Sequence, residues 1–142
     1  MAKATPAPHS ELVGRALTEK IISCFYRVYD DLGFGFLESV YQRALAYELN
    51  AQGLSIQTEA VLQVWYREVR VGCFRADLMV ERSVIVEIKA SERAIEADRK
   101  QLMNYLRCSA LEVGLLLHFG PRPSFQRLVY SNTRKPRSSA GS

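Results

Sequence analysis

Arg75-Ala76-Asp77-Leu78-Met79-Val80, a polar break at Glu81-Arg82-Ser83, then Val84-Ile85-Val86-Glu87-Ile88-Lys89-Ala90 is the stretch from which the fold can be read. Both runs are short and rich in branched apolar residues, as strands are. The break has the length of a hairpin loop. A loop centred on Arg82 sets Asp77 opposite Glu87 and Arg75 opposite Lys89. Side chains alternate faces along a strand. Arg75, Asp77, Glu87 and Lys89 are therefore expected on one face, with Ala76, Leu78, Val80, Val84, Val86 and Ile88 on the other. Two opposed carboxylates lie roughly 4.5–5.5 Å apart at Cβ, and like charges at that distance destabilise a sheet. A divalent cation would offset the repulsion, because Mg²⁺ takes oxygen ligands from one or two carboxylates and fills the rest with water and phosphate. Charged residues on the open face of a hairpin are also ordinary, so the hairpin alone leaves both readings standing.

The chain of 142 residues is one domain in size and long enough to bury a core. Its 48% hydrophobic and 24% charged residues fit a soluble globular protein. No apolar run reaches the length of a membrane span, and Met1 to Ser10 has no apolar core of a signal peptide. Cys24, Cys73 and Cys108 match neither a zinc spacing nor a disulfide framework. Reduced thiols in a cytoplasmic protein are the expectation. The net charge of +4 is compatible with a polyanionic partner. Much of the excess lies late, in Arg122, Arg127, Arg134, Lys135 and Arg137, where a solvated basic tail accounts for it equally well.

Residues 1–9 read as a disordered tail, 10–130 as a single domain and 131–142 as a basic disordered tail. Ser10 is a candidate N-cap. Leu12, Ala16, Leu17, Ile21, Cys24, Phe25, Val28 and Leu32 predict an amphipathic helix to about Asp31. After Leu32-Gly33-Phe34-Gly35-Phe36, a second helix is predicted from near Phe36 to about Gln52, with Gly53 as its stop. Glu38 and Tyr41 are neighbours on that helix. Glu38 also suits the first turn simply as an acid at the positive end of the dipole. Residues 55–67 and 69–80 read as strands joined by a turn at Arg67-Glu68. A helix is predicted over 94–109, with Asp98, Arg99 and Lys100 outward and Gln101 and Tyr105 on one face. That pair suits a surface Gln beside a half-buried Tyr equally well. The run Val113–Phe119 reads as a central strand covered on both faces, the end of a β-α-β crossover. Residues 125–130 read as a last edge strand, and His118 as a satisfied core residue.

The ordered set Gly35-x-x-Glu38-x-x-Tyr41, Asp77, Glu87-x-Lys89 and Gln101-x-x-x-Tyr105 resembles the PD-(D/E)XK nuclease superfamily. Within it the set is similar to the RecB-like, QxxxY branch and to the GxxExxY family. The resemblance covers roughly residues 12 to 130. It implies an α/β fold with a restriction-endonuclease-like core, a mixed sheet flanked by helices. It implies Glu38, Asp77 and Glu87 as ligands of Mg²⁺ or Mn²⁺. Lys89 would position or activate water and stabilise the transition state, and Gln101 and Tyr105 would orient Lys89 or contact phosphate. Ala76 stands where the superfamily's naming proline would be, and three cysteines are too few for the iron–sulfur cluster of some RecB-like relatives.

The chemistry agrees with the residue types. A phosphodiester needs its charge neutralised and a water made nucleophilic, and a carboxylate-held Mg²⁺ or Mn²⁺ does both. A lysine adds a fixed positive charge where charge develops. The function expected is thus metal-dependent hydrolysis of nucleic-acid phosphodiesters, DNA in the first place. Arg75, Arg134, Lys135 and Arg137 are the candidate phosphate contacts. Small size points to a homodimer or a protein partner, and no membrane. The alternative is a non-catalytic nucleic-acid-binding or protein-interaction module that keeps the fold.

Overall fold

The computed structural model describes residues 14–135. Ser10, Leu12, the N-terminal tail and Arg137 lie outside the described residues. Helix α1 spans Arg15–Leu32 and α2 spans Glu38–Ala51. Strands β1 (Ile56–Tyr66), β2 (Val69–Val80) and β3 (Val84–Lys89) follow. Then come α3 (Glu96–Arg107), β4 (Val113–Phe119) and β5 (Pro123–Val129). The five strands form one sheet in the order β1-β2-β3-β4-β5. β3 and β4 are parallel, joined through α3, and the other neighbours are antiparallel. This is the mixed α/β sheet flanked by helices that the motif order implies. No helix among the described residues is long and apolar enough to cross a membrane.

The core lies on both faces of the sheet. On one face, Ile21, Cys24, Phe25 and Val28 of α1 and Tyr41, Leu45 and Leu49 of α2 pack on Leu78, Val80, Val84, Val86, Leu115 and Leu117. On the other, Leu102 and Leu106 of α3 pack on Ile85, Leu116, Leu128 and Ala76. β4 is buried along its whole length, which is why its sequence shows no alternation. The β2–β3 hairpin is centred on Arg82: Val80 pairs with Val84 and Leu78 with Val86. Glu81 and Arg82 both take positive φ, 53° each, as the twist of a tight hairpin requires.

Two expectations are corrected. Ala76 does not share a face with Leu78; it packs with α3, while Leu78 packs under α1 and α2. Thr58 pairs with Leu78 and Ala60 with Ala76, yet the intervening residues Glu59 and Asp77 make no ladder pair. Glu59 sits at φ 52°, a left-handed conformation that interrupts strand alternation. Both strands therefore exchange faces at this point. Phe74 also faces α3, stacked on Tyr105, so Arg75, between Phe74 and Ala76, turns away from Lys89. The second correction concerns residues 131–135, expected as disordered tail. Asn132–Arg134 form a 3-10 turn. Lys135 Nζ donates to the carbonyls of Ser109 (2.9 Å) and Leu111 (2.7 Å), and the Arg134 guanidinium lies 4.5 Å over the Tyr130 ring.

Candidate functional site

The β2–β3 ladder stops at Leu78 and Val86, one pair short of Asp77 and Glu87. At that pair side chains take over from the backbone ladder. Asp77 Oδ2 accepts from the Ile88 N–H at 2.7 Å, and Glu87 Oε1 accepts from the Asp77 N–H at 3.3 Å. The two carboxylates thus brace each other's strands. Glu87 is only 7% exposed. Burial first, and then the Asp77 charge, push its carboxyl up to about 8 against the pull of the Asp77 N–H and Lys89. Asp77 is raised too, by burial first; the Ile88 N–H and Lys89 oppose this, and the charges of Glu38 and Glu59 add to it. Asp77 and Glu87 thus lie side by side, as their opposed positions on the hairpin predict.

Glu38 is the first residue of α2, exposed, with its charge felt at Asp77. The residues around it explain that position. Gly35 sits at φ 120°, a conformation open to glycine. Tyr41 is fully buried, and its hydroxyl donates to the Gly33 carbonyl and accepts from the Phe36 N–H. Its ring stacks on Phe119, centroids 4.1 Å apart. Gly35 and Tyr41 thus shape the loop so that the helix starts at Glu38.

Lys89 Nζ lies 3.9 Å from Asp98 Oδ1. Asp98 was expected on the outer side of its helix and instead faces the site. The signal was present: Asp98, Gln101 and Tyr105 are spaced i, i+3 and i+7 and lie on one stripe. Burial, followed by the Glu87 charge, raises the phenol pKa of Tyr105. Its ring lies flat on Phe74, 3.6 Å between centroids. Glu59 is the other residue that sequence reading missed. Gln42 Nε2 donates both to Glu59 Oε1 (3.2 Å) and to the Asp77 carbonyl (3.1 Å). The bulge between Val64 and Trp65 sets the register that brings Glu59 opposite Asp77, and strand alternation carries no sign of that.

Asp77 and Glu87 therefore meet where β2 parts from β3, Lys89 follows on β3 with Asp98 of α3 beside it, and Gln42 of α2 links Glu59 to Asp77. Arg75, Arg134 and Lys135 are not part of this group. His118 Nε2 bonds Ser91 Oγ at 3.0 Å and is a satisfied buried residue. Among the described residues no three His, Cys, Asp or Glu are close enough to enclose a metal ion. The donor set is a pair, Asp77 and Glu87, each with one oxygen engaged by a backbone N–H. A pair of hard oxygen donors suits Mg²⁺ or Mn²⁺, which fill the remaining positions with water and phosphate.

Residues 15–128 match the family model of the PD-(D/E)XK nuclease superfamily. Searches of curated proteins and of solved structures returned no match.

Proposed function

This chain belongs to the PD-(D/E)XK nuclease superfamily, and from that premise we propose that it hydrolyses nucleic-acid phosphodiester bonds at the Asp77–Glu87–Lys89 cluster. The observation that carries the reading is the close pair of carboxylates, Glu87 buried and Asp77 half-buried. The fold tolerates a cost there that a bound divalent cation would remove. Asp77 and Glu87 would hold Mg²⁺ or Mn²⁺, with Glu38 approaching from α2. When bound, the ion supplies charge neutralisation for the phosphate and lowers the pKa of a water. Lys89, steadied by Asp98, places a fixed positive charge where negative charge develops. Gln101 and Tyr105 present polar groups beside Lys89, to orient it or to contact phosphate. The partner is nucleic acid, DNA before RNA, and a homodimer or a partner protein would complete the grip.

A second reading, a binding module without catalysis, draws on the lack of a three-residue metal group among the described residues. Calorimetric titration with Mn²⁺ and Mg²⁺, followed by cleavage assays on single- and double-stranded DNA and RNA, separates the two. Metal binding with cleavage that is lost in Lys89→Ala supports the nuclease. Nucleic-acid binding with no metal uptake and no cleavage at millimolar metal selects the binding module.

A further inference from the structure

The loop before α2 carries a run of exposed apolar side chains. Phe34 is 44% exposed, Phe36 46%, Leu37 76% and Val40 37%. Burying such groups is normally favourable, so a contiguous exposed set marks a contact surface. This loop is held in place: Tyr41 bonds it at both Gly33 and Phe36, and the Phe36 ring packs edge-on to Tyr41. Ordering has therefore been met before any partner arrives.

Three features say what the partner offers. The loop runs directly into α2, and one turn after Glu38 the Gln42 amide of that helix donates to the Asp77 carbonyl at 3.1 Å, so its occupant lies next to the acid cluster. Leu32-Gly33-Phe34-Gly35-Phe36-Leu37 contains no Lys or Arg, so it contributes nothing to binding a phosphate. Aromatic rings offer instead a flat apolar face, and the matching group on a nucleic acid is the face of a base. Paired bases inside a duplex hide those faces, whereas unpaired bases expose them to stack on aromatic side chains.

We propose that Phe34 and Phe36 form a stacking platform for unpaired bases beside the scissile phosphate, which makes the substrate a single strand or a single-stranded end. This rests on the nuclease reading above and narrows its substrate.

The test compares binding of a short labelled DNA single strand and of the blunt duplex of the same sequence, in Ca²⁺ buffer. The proteins are wild type, Phe34→Ala and Phe34→Ala/Phe36→Leu. The leucine keeps an apolar contact with Tyr41, and Phe34→Ala alone leaves that contact untouched. Wild type should favour the single strand, and the variants should bind it about 5- to 100-fold more weakly. Duplex binding and the salt dependence of affinity should not move, because stacking releases no counterions. Unchanged single-strand affinity, or equal loss on both ligands, overturns the platform while leaving the nuclease reading intact. So does a wild-type dimer that the variants convert to monomer, which would assign the loop to contact between copies of the chain. Wild type that binds neither ligand overturns both readings.

Discussion

Burial, and after it the Asp77 charge, raise the carboxyl of Glu87 well above the usual carboxylate range. Its carboxyl titrates at about 8 in the folded chain against 4.5 as a free side chain. Between those values the folded state keeps a proton that the unfolded state has released. The stability this group confers is thus fully present below about pH 4.5 and is lost as pH rises through about 8. In EDTA the melting temperature should fall across that window, and Glu87→Gln should flatten the fall. Metal binding works in the opposite sense, because the ligand must be deprotonated. The Mn²⁺-induced rise in melting temperature should therefore grow with pH. Asp77→Asn keeps an acceptor for the Ile88 N–H and removes the charge that disfavours ionisation of Glu87. Its metal-free form should melt no lower than wild type, and its response to Mn²⁺ should vanish. A variant that melts well below wild type, with no metal response in either protein, would make Asp77 a structural residue only.

At the scale of elements, α2 and its entry loop are fastened through one phenol. Tyr41→Phe removes a hydroxyl that serves the Gly33 carbonyl and the Phe36 N–H together. Leaving those groups unpaired should cost about 1–3 kcal/mol, measurable by urea unfolding. The same change should loosen Phe34 and Phe36 and weaken single-strand binding without altering the melting shift given by Mn²⁺. Helix α3 was legible as an amphipathic element, since Leu102 and Leu106 keep helical spacing and both are buried. Its orientation toward β3 was only half legible. Spacing puts Gln101 and Tyr105 on one face, but reads Asp98 as outward, because an acid among Arg99 and Lys100 looks like solvated surface. The fold turns it to Lys89 instead.

Across the whole molecule, positive charge at the C-terminal end is used for folding as well as for the surface. Lys135 closes the loop after α3 by donating to two carbonyls, and burial lowers its pKa despite the raising effect of Glu112. Lys135→Ala should lower stability by on the order of 1 kcal/mol. It should leave the salt dependence of DNA binding unchanged, whereas loss of a true phosphate contact would flatten the slope by about 0.9 for duplex DNA. Thermal melting and a salt series of binding isotherms measure the two effects separately. The sheet itself gives the site its place: β3 and β4 are covered on both sides, and the cluster forms where β2 parts from β3.

The elements and the centre of the β2–β3 hairpin are legible in the residue pattern alone. Strand alternation and helical spacing are local periodicities, and they follow from backbone geometry alone. They located β3, β4 and α2 closely, set Asp77 opposite Glu87 and put Gln101 with Tyr105. What tertiary structure decided is which face each charged side chain reaches. The bulge between Val64 and Trp65 shifts β1 against β2 so that Glu59 falls opposite Asp77, and around Glu59, at φ 52°, the strands change faces, with Ala76 packed on α3 and Leu78 under α1 and α2. No periodic pattern records such a change, because φ at one residue is set by the packing on either side. The same holds for Lys89: its partner Asp98 is fixed by how α3 lies across the sheet, which depends on contacts between segments far apart in the chain.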